Sequence, residues 1–255
     1  CLHEEDFGIL WKHTNWVRPD LAPEVRRSRR LVVSMIHTIG NYEYGFYWYF
    51  YLDGTIQLEV KLTGVIGVSA LGDGGGTDTA PLVAPGIASP IHQHLFCIRL
   101  DPAIDGPNNS VVETNVEHAT DGAHPYGAGF RAASTTLATE KVAMRNIDSA
   151  ASRTWKIINP SSLNELGVPV GYKILPQASP NFMVPENTPA GDRGGFARHN
   201  LWVTAYDEDE HYAGAGPFTN LHPGGAGLPS YVEQDRPIED TDIVVWHTFG
   251  VTHVP

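Results

Sequence analysis

Residues 45–62 read Gly45-Phe46-Tyr47-Trp48-Tyr49-Phe50-Tyr51-Leu52-Asp53-Gly54-Thr55-Ile56-Gln57-Leu58-Glu59-Val60-Lys61-Leu62, and this stretch decides the fold class. Asp-Gly between two β-prone runs is a strong short-range signal for a hairpin. In the second run Ile56, Leu58, Val60 and Leu62 alternate with Gln57, Glu59 and Lys61, which predicts a strand with one buried and one polar face. The aromatic first run has no such alternation and predicts a strand covered on both sides.

Working outward, further strands are expected over residues 30–35, 92–100, 111–117, 154–158, 170–175, 201–206 and 243–249. Residues 135–145 fit a strand or a short helix. The pair at 154–158 and 170–175 flanks a connection rich in Pro, Asn, Ser and Gly, as a projecting hairpin does. Residues 72–86, 119–130, 176–198 and 207–230 read as loops. No repeat on the order of 20–50 residues is visible. Short strands joined by Gly- and Pro-rich loops, without helical patterns between them, predict a mainly β protein of the β-sandwich class.

Composition agrees. Of 255 residues, 42% are hydrophobic and only 18% charged, with 26 Gly and 19 Pro, which suits many turns around a sizeable core. The net charge of −12 argues against a nucleic-acid partner, because phosphate neutralisation needs clustered Lys and Arg. The one basic cluster, Arg26, Arg27, Arg29 and Arg30, reads as a solvated loop or an interface edge. No run of about 18 apolar residues is present, so no membrane span is expected. Cys1-Leu2-His3-Glu4-Glu5-Asp6 has neither the basic start nor the apolar stretch of a signal peptide. A soluble protein is expected, cytoplasmic in preference to secreted or periplasmic. Both ends look like cuts through a longer protein. Cys97, in Leu95-Phe96-Cys97-Ile98, reads as a buried thiol.

Three motifs carry chemistry. His92 and His94 are two apart, so on a strand both imidazoles share one face and Gln93 takes the other. Imidazole nitrogen suits Cu(II), Zn(II) or Fe(II). A third ligand must come from a distant strand, and both His247 and His253 have the parity to supply it; spacing does not separate them. Tyr42, in Asn41-Tyr42-Glu43-Tyr44, is either an ordinary strand tyrosine or a phenol beside a metal that binds O2. In the second case the ring is open to oxidation in place, giving an electrophilic carbonyl that no ordinary side chain has. Asp207-Glu208-Asp209-Glu210-His211 lacks the Gly and terminal Glu of a calcium loop and reads as a solvated turn. Gly72-Asp73-Gly74-Gly75-Gly76 lacks the Lys-Ser/Thr of a phosphate cradle.

Thr38-Ile39-Gly40-Asn41-Tyr42-Glu43-Tyr44, then His92-Gln93-His94, then Gly250-Val251-Thr252-His253 together resemble the catalytic domain of the copper amine oxidases. Leu2-His3-Glu4-Glu5-Asp6, Gly45-Phe46-Tyr47-Trp48 and Asn200-Leu201-Trp202-Val203-Thr204 are also similar to segments of that family, so the resemblance runs over nearly the whole chain. It implies a large antiparallel β-sandwich spanning residues 1–255 as one domain, incomplete at both ends. It implies Tyr42 as precursor of topaquinone, the quinone that condenses with a primary amine. Thr38 and Asn41 would orient that quinone, and His92, His94 and His253 would be the copper ligands. The implied reaction turns a primary amine and O2 into aldehyde, ammonia and hydrogen peroxide, in a homodimer with the 154–175 hairpin as an arm between subunits. Asp101 and Asp242, with the carbonyls of Pro102 and Ile243, match a peripheral divalent-cation site of Ca²⁺ type. A second peripheral site is expected to be empty, because Gln234 and Arg236 stand beside Glu140 where relatives carry carboxylates. The family's catalytic aspartate has no match here, and the base is expected in sequence preceding Cys1. The alternatives are a mononuclear three-histidine dioxygenase on a β-barrel, or a non-catalytic β-sandwich binding module.

Overall fold

The computed structural model describes every residue except Asp73, Gly74, Asp121, Ala123, Ala215, Thr219, Asn220 and Leu221. The loops expected over 72–86, 119–130 and 207–230 include these positions, which lie outside the described residues. The chain forms two compact units, one of Cys1–Ile91 with Val254–Pro255 and one of His92–His253.

In the first unit four strands form an antiparallel meander: β1 (Leu2–His13), β2 (Glu24–Ile39), β3 (Tyr42–Tyr51) and β4 (Ile56–Gly64). Strands β3 and β4 are the predicted hairpin. Gly54 takes the positive φ of 85° that the turn needs, and the Asp53 carboxylate accepts from Thr55 N at 2.9 Å. The register puts Tyr42, Tyr44, Phe46, Trp48 and Phe50 on one face with Leu62, Val60, Leu58 and Ile56. That face is apolar, as expected, but it is at most half-buried, and the fully buried Tyr49 lies on the opposite face. Ile56 and Leu62 are 49% and 38% exposed, and Phe50 beside Ile56 is also exposed.

Two readings are corrected in this sheet. The sequence pattern shows no strand over residues 2–13, yet β1 pairs with β2 along its length. The two strands are matched in charge: Glu4, Glu5 and Asp6 of β1 pair across the ladder with Arg29, Arg30 and Arg27. The arginine cluster is therefore part of a strand and not a loop. Arg30 is buried, its guanidinium carbon 3.6 Å from the Tyr49 ring centre and 3.7 Å from that of Phe7. A small second sheet of β5 (Ser69–Ala70), β6 (Leu82–Ala84) and β7 (Ile87–Ala88) completes the unit.

The second unit is built on β8 (His92–Leu100), β9 (Asn108–His118), β10 (Phe130–Thr136), β11 (Thr154–Leu163), β12 (Pro169–Ile174), β13 (Leu201–Ala205) and β14 (Thr241–His253). They form one antiparallel sheet in the order β12-β11-β9-β14-β13, with β10 on β9 and β8 on β14. The expected hairpin is β11–β12. Residues 135–145 divide between the end of β10 and turns.

Period-2 geometry explains why Leu201-Trp202-Val203 and Ile243-Val244-Val245-Trp246 are unbroken apolar runs. Leu201, Val203, Ile243 and Val245 join Trp155 and Ile157 in one core cluster, while Trp202, Val244 and Trp246 face a second with Leu228 and Val232. Both faces are covered over residues 201–204 of β13 and 243–248 of β14. Two short helices, α1 (Pro189–Arg193) and α2 (Leu228–Tyr231), lie outside the sheet. The mainly β class and the antiparallel pairing expected from the sequence are both present.

Candidate metal and cofactor site

The antiparallel register of β8 and β14 runs from Val245 opposite Leu100 to His253 opposite His92. Directly paired residues share a face, and so do residues two apart along a strand. His253, His92 and His94 therefore converge without any loop rearrangement. Their ring centres lie 4.6 Å apart for His92 and His94, 4.9 Å for His92 and His253, and 6.0 Å for His94 and His253. One ligand atom from each lies within 4.8 Å of the others, and all three rings are half-buried. Nitrogens bound to one ion at about 2.0–2.1 Å can be at most about 4 Å apart, so small ring rotations bring this set onto a single metal. Burial, and then the neighbouring His92 and His253, push the His94 imidazole below its ordinary range, which favours the neutral, ligating form.

His247 is separated from this group by the same register. It pairs with Ile98 and Leu201, its Nδ1 lies 2.8 Å from the Asn200 carbonyl, and its ring packs between Trp155 and Phe249. It is a core histidine. Gly250, between the two, is required by space. A Cβ there would lie 2.0 Å from the His94 carbonyl oxygen and 2.9 Å from Leu95 Cα.

Thr38, Asn41 and Tyr42 gather at the β2–β3 turn of the first unit, where Gly40 takes a φ of 62°. Tyr42 is half-buried, and its Oη accepts from Gly67 N at 3.1 Å. The Asn41 carbonyl accepts from Val65 N at 2.7 Å. Thr38 pairs with Glu43, not with Tyr42, and its hydroxyl donates to the Glu43 carboxylate at 2.9 Å. It thus stands on the face of the sheet opposite Tyr42.

Of the peripheral set, Asp101 is exposed and paired with Arg99 at 3.2 Å, just past the end of β8. Asp242 and Ile243 begin β14, where Asp242 pairs with Asn108 and its carbonyl accepts from Tyr206 N. Pro102 is half-buried beside Asp101. Among the described residues, His92, His94 and His253 are the one group of three or more His, Cys, Asp or Glu side chains placed to share a metal.

Around Arg236 the structure corrects one reading. The Glu210 end of the 207–211 run is buried, not solvated. Arg236 donates through Nε to Glu140 at 2.7 Å and through Nη2 to Glu210 at 2.8 Å, with Asp207 at 3.6 Å. The Glu140 side chain is 0% exposed. Arg236→Met would leave two buried carboxylates without a counter-charge, at an expected cost of roughly 3–5 kcal/mol. Arg236→Lys keeps the charge without the planar fork and should recover part of it. Urea unfolding checks this; an unchanged midpoint in Arg236→Met refutes it.

Three half-buried imidazoles at the end of an antiparallel ribbon, with no carboxylate among them, could hold a single divalent transition metal such as Cu, Zn, Fe or Ni. Residues 1–255 match the model of the copper amine oxidase enzyme domain. The chain is 52% identical over 257 residues to a histamine oxidase of Arthrobacter globiformis, covering all of this chain and 37% of that protein. It is 46% identical over 264 residues to a copper-containing diamine oxidase of Nicotiana tabacum, described as peroxisomal, covering 33% of it. The crystal structure of a copper-containing benzylamine oxidase from Hansenula polymorpha matches all of this chain and 40% of its own, with a TM-score of 0.93 at 34% identity. The chain belongs to the copper amine oxidase family, and it spans between a third and two-fifths of the length of these relatives.

Proposed function

We propose that the protein carrying this chain oxidatively deaminates primary amines, consuming O2 and yielding aldehyde, ammonia and hydrogen peroxide. The observation that carries this reading is the His92–His94–His253 group, found in a chain whose whole length matches the family's enzyme domain. His92, His94 and His253 are the copper ligands, and Tyr42 is the residue converted to topaquinone. Bound copper and the quinone supply the redox chemistry that unmodified side chains lack. Within the first unit, the Gly67 amide holds the Tyr42 oxygen, and the β2–β3 turn fixes the backbone through the Asn41 carbonyl. In this reading Asn41 and Thr38 support the cofactor, Thr38 acting through Glu43, whose carboxylate it binds.

The same reading places Ca²⁺ with Asp101 and Asp242 and the carbonyls of Pro102 and Ile243. It also makes residues 1–255 one catalytic domain of a homodimer, with β11–β12 as an intersubunit arm. Among the described residues no helix is long and apolar enough to cross a membrane. The experiment is the mass of the peptide containing Tyr42, taken from intact, copper-loaded, aerated protein. A residue heavier than tyrosine by two oxygen atoms less two hydrogens, and reactive with phenylhydrazine, is expected. An unmodified tyrosine mass overturns the proposal.

A further inference from the structure

The three histidines stand where the sheet narrows to two strands. The last β13–β14 pair is Leu201 with His247, so past that point the register pairs β14 with β8 alone. His92 opens β8 and His253 closes β14. A two-stranded ribbon is marginal by itself and frays at its ends, whereas a metal site needs its donors held to about 0.5 Å.

The reverse face of the ribbon carries the answer. Gln93 and Thr252 are directly paired there, each beside a ligand histidine. The Gln93 amide nitrogen donates to the Asn181 carbonyl at 2.8 Å and to Thr252 Oγ1 at 3.2 Å, while its oxygen accepts from Met183 N at 2.9 Å. Because one backbone partner is an acceptor and the other a donor, only this orientation of the amide satisfies both. Two residues earlier, Ser179 Oγ accepts from Gly250 N at 3.1 Å. The 179–183 segment thus grips β14 through Ser179 and β8 through Gln93.

We propose that Gln93 is a positioning residue for the metal site, clamping the ribbon from behind so that His92, His94 and His253 keep the spacing one copper ion requires. The inference rests on the three-histidine copper reading and adds to it a residue that touches no ligand atom. Gln93→Met keeps length and shape but loses all three hydrogen bonds. Gln93→Glu keeps an acceptor for Met183 N but sets a carboxylate against the Asn181 carbonyl. In the intact protein, both should weaken copper binding roughly tenfold or more, measured by chelator competition. Both should also shift the Cu(II) EPR hyperfine pattern, which a loss of general stability alone would not do. Thr252→Ser, which retains a hydroxyl, should keep the wild-type spectrum. Wild-type affinity and spectrum in both Gln93 variants overturn the role of Gln93. Wild-type copper affinity no higher than that of His94→Ala instead overturns the three-histidine reading beneath it.

Discussion

His253→Ala strips copper from the intact protein, leaves Tyr42 as plain tyrosine and takes amine turnover to background, whereas His247→Gln leaves copper and the Tyr42 modification in place. This is the largest effect expected, and it separates two histidines of equal parity on one strand. His253 sits directly across from His92, with its ring 4.9 Å away. Removing it leaves two imidazoles, a much poorer donor set for Cu(II). His247 is only 8% exposed and already bonded to the Asn200 carbonyl. Its replacement disturbs the packing with Trp155 and Phe249 and should cost roughly 1–3 kcal/mol of stability without touching the metal. Copper content by elemental analysis, together with the Tyr42 peptide mass, tests both halves. Retention of stoichiometric copper by His253→Ala sinks the assignment.

Gly250→Ala is expected to be nearly as damaging, through sterics alone. The added methyl would stand 2.0 Å from the His94 carbonyl oxygen, so β8 and β14 must part between His94 and His253. The backbone at Gly250 needs no positive φ, so the requirement is for room and not for conformational freedom. Overpacking of this kind costs about 1–3 kcal/mol, sometimes more, and here the strain falls inside the metal ribbon. Copper occupancy should collapse while the far end of the sheet, around Trp155 and Val203, keeps its near-UV signature. Full occupancy in Gly250→Ala would show that the ribbon yields elsewhere.

Strands with local signatures were legible from the residues. Asp53-Gly54 marked the β3–β4 hairpin, and the apolar runs at 201–206 and 243–249 marked β13 and β14. Strand β1 was not legible, because Leu2–His13 has no clean alternation. Its pairing depends on arginines about twenty-five residues away, and acids facing arginines across a ladder form a pattern only once the ladder exists. The same holds for Glu210, which looked solvated until Arg236 and Glu140 were brought to it. Gln93 was read only as the residue on the other face from two ligands. Its partners in the 181–183 segment come from a loop without periodicity, so no local signal pointed to them.

From the sequence alone, alternation determined the β class and the shared face of His92 and His94, and the family resemblance carried by Asn41-Tyr42-Glu43-Tyr44 together with the three histidines singled out Tyr42. Spacing left His247 and His253 open and the family resemblance alone favoured His253; the physical separation of the two belongs to the tertiary structure. Six residues of separation leave side-chain parity unchanged, so the two are equivalent along the strand. Register between β8 and β14 is a non-local quantity, set by core packing and close approach along the whole ladder. That register carries His247 to Ile98 and the core, and His253 to His92 and the three-histidine group.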